Sequence, residues 1–259
     1  MSFALITGAS KGIGKAIAEE LAKHNYSVLL VARSESLLRQ LAQDISTSYG
    51  VTADYLALNL SDHDAAQQVK NWCDQKGYTV TVLVNNAGYG LSGEFDANSL
   101  DANNDMMRLN MLTLANLCQV FLPMLKQQPK AYILNIASST AYQALPLMSV
   151  YAATKVFVLN FSRALRYELR KSSVSVTVVS PGATATDFND RANIGQKARK
   201  AAEKVSMTPQ SVAKIAVEAL FAGQTEVVPG LVNKVGKFFA WLLPASLVEG
   251  VASGIYEDK

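Results

Sequence analysis

The chain has 259 residues, of which 49% are hydrophobic and 17% charged, with a formal net charge of +3. That length suits one α/β domain with a large core, and the charge is too small to select nucleic acid as a partner. Two cysteines without CxxC spacing, Cys73 and Cys118, and only two histidines, His24 and His63, argue against a disulfide framework and against a histidine-based metal site, so no metal is expected.

The first apolar run, residues 3–7, reads as a buried strand and passes directly into Thr7-Gly8-Ala9-Ser10-Lys11-Gly12-Ile13-Gly14, with a helical pattern over 11–24. Strand, glycine-rich turn and helix is the order that sets a dinucleotide pyrophosphate on a helix N-terminus. Gly8 permits a tight turn, while Gly12 and Gly14 leave room for a cofactor and for close helix packing. The spacing is GxxxGxG rather than the commoner GxGxxG, so by itself the loop also reads as an ordinary tight turn. The apolar start is too short for a signal peptide, and a cytoplasmic protein is expected.

Further strands are expected at 27–31, 52–58, 80–84, 132–136, 175–179 and 225–228, and helices at 35–49, 62–75, 100–126, 150–170 and 209–222. Unbroken apolar strands alternating with helices predict a Rossmann-type α/β fold, a doubly wound parallel sheet of about seven strands with helices on both faces. Right-handed crossovers then put a ligand at the strand C-terminal edge, near the point where strand order reverses. No repeat or linker divides the chain, so residues 1–259 read as one domain, with a lid at 185–208 and a helical extension at 231–255. The densest basic run, 191–204, reads as a solvated helix face. The apolar segment 238–248 is about half the ~20 residues a spanning helix needs and is broken by Pro244.

The second strand ends Val31-Ala32-Arg33-Ser34, with no carboxylate at its tip to bind ribose hydroxyls. Arg33 instead offers a guanidinium suited to phosphate, and Lys11 lies in the glycine loop, although Glu35 follows close behind. Later in the chain, Tyr151 and Lys155 are four apart in a predicted helix and share one face, with Ser138 thirteen residues upstream. A free tyrosine titrates near pH ~10, and a cation beside it favours the phenolate and brings it toward working pH. A neighbouring serine hydroxyl can hold a carbonyl oxygen while the tyrosine moves a proton. Such a set interconverts a carbonyl and an alcohol.

The segments TGASKGIG, Asn85-Asn86-Ala87-Gly88, Asn110, Ser138, Tyr151-x-x-x-Lys155 and Pro181-Gly182 stand in the order and spacing of the short-chain dehydrogenase/reductase family, which the first 190 residues or so resemble. The resemblance implies an oxidoreductase with a nicotinamide cofactor. It implies that Gly8, Ser10, Lys11, Gly12, Ile13 and Gly14 hold the pyrophosphate side, that Asn59 and Leu60 meet the adenine, and that Asn86, Ala87 and Gly88 lie along the ribose. Pro181, Gly182, Thr184 and Thr186 match the loop over the nicotinamide. Basic residues at the places of Lys11 and Arg33 generally go with NADP in this family, so NADP(H) is expected.

By the same resemblance, Tyr151 gives a proton to the substrate oxygen, Ser138 stabilises that oxygen, and Lys155 serves both Tyr151 and the ribose hydroxyls. Asn110 matches the residue that holds a water against the lysine; spacing selects Ser138 over Ser139. The substrate side is expected to include Ser138, Tyr142, Leu145, Leu147, Met148 and Phe188. This mostly apolar lining suits a lipophilic ketone, a 3-oxoacyl thioester or an aldehyde. The aromatic-rich tail departs from the pattern of 3-oxoacyl carrier-protein reductases and reads as an amphipathic helix over the substrate mouth or against a second subunit. Contact with a membrane surface is the sharper alternative. A homodimer or homotetramer is expected, with helix 150–170 suited to the interface. A non-catalytic NADPH-binding sensor or scaffold is the competing function; it has no need of Ser138, Tyr151 and Lys155 together. A nucleotide-sugar epimerase is disfavoured by the short chain after Gly182.

Overall fold

The structure, a computed structural model, describes residues 2–256. Seven strands form one parallel sheet: β1 (Phe3–Thr7), β2 (Ser27–Ala32), β3 (Ala53–Ala57), β4 (Val80–Asn85), β5 (Ala131–Ile136), β6 (Val174–Val179) and β7 (Glu226–Val227), in spatial order β3-β2-β1-β4-β5-β6-β7. Between and after them run α1 (Gly12–Lys23), α2 (Glu35–Tyr49), α3 (Ala65–Gln75), α4 (Leu100–Met107), α5 (Leu114–Lys126), α6 (Ser149–Glu168), α7 (Phe188–Arg191), α8 (Gln196–Glu203), α9 (Pro209–Phe221), α10 (Leu231–Leu242) and α11 (Ala245–Tyr256).

Strand side chains alternate between two cores. Leu5, Leu29, Leu83, Ile133 and Val176 face α3, α5 and α6 through Val69, Leu117, Phe121 and Leu159. Ile6, Leu30, Val84 and Leu134 face α1, α2 and α9 through Ile17, Leu21, Leu38, Ile45 and Leu220. Helices on both faces explain why the central strands β1, β2, β4 and β5 are buried along their whole length and read as unbroken apolar runs. The chain moves outward from β1 to β2 and β3, then returns to the other side of β1 with β4. Strand order reverses there, and a crevice opens above the C-terminal ends of β1 and β4. This is the expected doubly wound Rossmann-type fold.

Three elements differ from the sequence reading. The expected helix 62–75 starts only at Ala65, because Asp62 N–H donates to the Asn59 carbonyl (3.2 Å) and Asn59 Nδ2 donates to Asp62 Oδ1 (2.8 Å), folding 59–64 into turns. The expected continuous helix 100–126 carries a π-helical turn, Arg108–Thr113, between α4 and α5. That widened turn is tied down by Asn110, whose side chain bonds outside its own helix, a pattern common where helices serve a site. The tail 231–255 is two helices, with Leu243 extended and Pro244 between them. None of the described residues forms a helix long and apolar enough to cross a membrane.

Candidate active site

The glycine loop is held by bonds between β1 and β4. Thr7 Oγ1 donates to Val84 O (3.1 Å) and accepts from the backbone N–H groups of Asn86 (3.0 Å) and Ala87 (3.1 Å). Asn86 Nδ2 donates to the carbonyls of Thr7 (3.0 Å) and Gly8 (3.1 Å), so the Asn86 side chain sits where a larger loop residue would go. A Cβ on Gly14 would lie 2.3 Å from Gly8 O and 2.4 Å from Asn86 Nδ2. Gly14 is therefore required by packing of the loop on itself, and Gly8 by its φ of +65°. Helix α1 starts at Gly12 without a side-chain cap and with no acid in its first turn, which leaves its N–H groups open toward the cleft lined by Gly8, Ser10, Lys11, Gly12 and Ile13.

That cleft has a volume of about 510 Å3, and Ser138, Tyr151 and Lys155 share its wall. All three are buried, Tyr151 at 7% and Lys155 at 6% exposure. Lys155 Nζ donates to Ile136 O (2.9 Å) and lies 5.8 Å from the centre of the Tyr151 ring. Burial of its ammonium pushes the Lys155 pKa down to about 8. Ser138 Oγ accepts from Thr140 N–H (3.2 Å) at the start of a 3-10 turn, Ser139–Tyr142, which fixes the oxygen at the cleft wall. Gly90 closes this end: a Cβ there would strike Phe188 Cζ, Met148 Cε and Tyr151 Cδ2 within 3.2 Å, so these three side chains converge.

Asn110 is buried behind the cleft. Its Nδ2 donates to Tyr89 O (2.9 Å) and Thr154 Oγ1 (3.0 Å), and its Oδ1 accepts from Tyr89 N–H (3.1 Å). Thr154 Oγ1 in turn donates to Tyr151 O (2.7 Å), which locks the π-helical turn onto the segment of α6 that carries Tyr151 and Lys155. Asn110 Oδ1 and Lys155 Nζ both border Gly88.

At the other end, Arg33, Asn59, Leu60, Asn86, Ala87 and Gly88 line the cleft, together with Pro181, Gly182, Thr184 and Thr186. Asn59 Oδ1 already accepts from Ser61 N–H (3.3 Å). The Lys11 ammonium pairs with Asp187 (2.8 Å), just before α7, an exposed contact that leaves it exchangeable. Three expected substrate residues, Tyr142, Leu145 and Leu147, do not line the cleft; Leu147 lines a separate small pocket beside Phe95 and Val150. Tyr142 turns away beneath α10, with its hydroxyl on Ser180 Oγ (3.1 Å) and Glu226 Oε1 (2.8 Å), and Leu145 packs into the core.

The sequence reading missed Arg191, Asp187 and Tyr89. Arg191 stacks its guanidinium 4.0 Å over the Tyr89 ring, and Tyr89 donates to Asp105 Oδ2 (2.7 Å). Burial, and next the Arg33 charge, press the Arg191 pKa down, so the two guanidiniums share one cleft. The 191–204 run is not a uniformly solvated face: Arg199 bonds Asp190, Ile194 O and Asn189 O, and Ala198 is buried. The separation of Arg191 by six residues from Lys197, the first lysine of the run, was the available signal.

Residues 2–197 match the short chain dehydrogenase family. The chain belongs to that family. As a short-chain dehydrogenase it is an oxidoreductase acting on carbonyl and alcohol groups, and such enzymes use nicotinamide cofactors. Human very-long-chain 3-oxoacyl-CoA reductase is 31% identical over 98% of this chain and 77% of its own length. Among solved structures, 7β-hydroxysteroid dehydrogenase superposes with a TM-score of 0.87 at 25% identity, covering 97% of this chain and 96% of that one. A short-chain dehydrogenase from Sphingobium yanoikuyae in complex with NADPH superposes with a TM-score of 0.82 at 28% identity, covering 100% and 96%.

Proposed function

We propose that this short-chain dehydrogenase reduces a lipophilic carbonyl compound to an alcohol with NADPH. The observation that carries the reading is the meeting of Ser138, Tyr151 and the buried Lys155 ammonium in one cleft with an uncapped helix N-terminus at its other end. The residues fit a dinucleotide: the open N–H groups of α1 suit a pyrophosphate, and the Arg33 and Arg191 guanidiniums suit a further phosphate. When bound, the nicotinamide supplies the hydride. Tyr151 gives its phenolic proton to the substrate oxygen as negative charge gathers there. Ser138 Oγ, oriented by Thr140 N–H, donates its hydroxyl hydrogen to the same oxygen. The Lys155 ammonium offsets the charge left on the phenolic oxygen. Asn110, both amide hydrogens engaged with Tyr89 and Thr154, holds α6 so that these groups keep their alignment.

The apolar wall of Met148, Phe188 and Ile194 supports a lipophilic substrate, and the name of the human relative favours a 3-oxoacyl thioester within that class. Arg33 has no carboxylate at the strand tip beside it, which supports NADPH over NADH. Replacing Arg33 with Ala is expected to cut the preference for NADPH over NADH by roughly tenfold to a hundredfold, the worth of a charge-assisted bond to a 2′-phosphate. Steady-state rates with both cofactors and a panel of 3-oxoacyl thioesters, cyclic ketones and aldehydes measure this directly; an unchanged preference would rule out the assignment.

A further inference from the structure

Helix α10 is turned inside out relative to an ordinary surface helix. Its only partly buried residues, Asn233, Lys237 and Ala240, are spaced four and three apart and form one stripe against the body of the protein. Along that stripe Asn233 Nδ2 donates to Pro229 O (2.7 Å), and Lys237 pairs with Glu226 while lying 4.8 Å over the Tyr142 ring. Burial works against the Glu226 charge, but hydrogen bonds from Lys237, Tyr142 and Arg163 outweigh it and hold the carboxyl below its ordinary range. The polar side of the helix is thus its anchored side.

The apolar side faces outward. Leu231 (76%), Val232, Val235, Phe238, Phe239, Trp241 (77%) and Leu242 of α10 are all exposed, and Leu243, Leu247 and Val251 continue the surface onto α11. Together these side chains present on the order of 1,000 Å2 of apolar area, where a soluble monomer shows a few hundred. An amphipathic helix normally buries its apolar stripe, so this surface is built to be covered.

We propose that α10 and α11 form a docking surface for an anionic lipid membrane. The charge around the surface selects that occupant. Helix α10 carries Lys234 on its exposed side and no acidic residue, and α11 carries a single acid, Glu249. Helix α8, which packs against α11 where Ala252 is buried, exposes Lys197 and Lys200, with Lys204 at its C-cap, against a single exposed acid, Glu203. A symmetric contact between two copies brings two positively charged patches onto one interface, which like-charge repulsion opposes. An anionic lipid surface meets the same lysines with opposite charge and takes up the leucines, phenylalanines and Trp241 at the boundary between headgroups and acyl chains. The arrangement lies on the membrane rather than crossing it. Helix α10 also leans on the cleft: a Cβ on Gly182, which lines the cleft, would lie 2.1 Å from Asn233 Oδ1.

The test is flotation of the full chain with vesicles of phosphatidylcholine alone and of phosphatidylcholine mixed with phosphatidylglycerol, beside light scattering in the absence of lipid. The expected result is binding to the anionic vesicles, weakened at least tenfold by a Phe238→Ser, Trp241→Ser, Leu242→Ser triple variant. Weaker binding is also expected in high salt and in a Lys200→Glu, Lys204→Glu variant. In a Trp72→Phe background, Trp241 fluorescence should shift to the blue on anionic vesicles. Circular dichroism of each variant shows whether it is folded. Absence of binding by the natural chain, whether monomeric or held in a dimer that the triple variant dissociates, would overturn the proposal. So would vesicle binding that the triple variant retains in full.

Discussion

Helices α6 and α10 break the usual rule of residue placement in opposite directions. Helix α6 buries a tyrosine, a threonine, a lysine and a serine at Tyr151, Thr154, Lys155 and Ser162, while its Val156 and Phe157 are exposed. Helix α10 holds two phenylalanines, a tryptophan and four aliphatic side chains and buries none of them. Composition alone does not decide burial; the surface opposite does. The polar groups of α6 are accepted inside because Asn110, Asn135 and the Ile136 carbonyl hydrogen-bond them. The apolar groups of α10 stay outside because its polar stripe, not its apolar face, finds partners on the body. A buried lysine and an exposed apolar surface are the two departures from ordinary patterning on which the proposed chemistry and the proposed docking rest.

The largest effect that separates the two helices is expected at Lys155. Lys155→Met should lower turnover by roughly 10²- to 10⁴-fold, the range for removing a group that supports proton transfer. Burial pushes the Lys155 pKa down to about 8 from 10.5. Its ammonium is present below that pH and lost above it, so kcat/KM of the natural enzyme should fall as pH rises through about 8, and the variant should lack that inflection. The stability sign is opposite. Between pH 8 and 10.5 the unfolded chain binds the proton and the folded chain does not, so this group makes folding more favourable as pH rises across that window. Activity and thermal-midpoint profiles that ran in parallel there would break the account of α6.

A smaller effect belongs to the loop that α6 faces across the cleft. Gly14→Ala forces a methyl against Gly8 O and Asn86 Nδ2, and overpacking of this kind is expected to destabilise by about 1–3 kcal/mol in urea titration while weakening cofactor binding. The least effect falls on α10. Trp241→Ser removes a side chain that is 77% exposed and should leave stability within about 0.5 kcal/mol. A large loss of stability in that variant would mean that the tail is packed, not presented.

Much of the fold was legible because buried parallel strands are unbroken apolar runs: β1, β2, β4, β5 and β6 fall within a residue of their expected bounds. The parts that were not legible depend on partners distant in sequence. The π-helical turn exists because Asn110 bonds to Tyr89, twenty-one residues away, and to Thr154, forty-four away, and neither bond leaves a periodic trace in the helix 100–126. Tyr142 looks like a pocket residue by its position after Ser138, but Glu226 and Ser180 draw its hydroxyl to the other side of the 3-10 turn. Arg191 was hidden in a basic run whose lysines do face solvent. The residues singled out around Ser138, Tyr151 and Lys155 share one cleft because β5, its following turn and the start of α6 are consecutive in chain and adjacent in space. Spacing in sequence suffices for such a site, and it does not for residues 185–208 and the tail.

The most direct test of the central claim is consumption of NADPH by the natural chain and by Tyr151→Phe across the panel of carbonyl compounds, with NADPH affinity measured beside it. The account predicts that the natural chain turns over at least one lipophilic carbonyl and that the variant loses roughly 10²- to 10⁴-fold in kcat with NADPH affinity largely intact, since the hydroxyl that gives the proton has been removed while the ring remains. Turnover retained in Tyr151→Phe would contradict it.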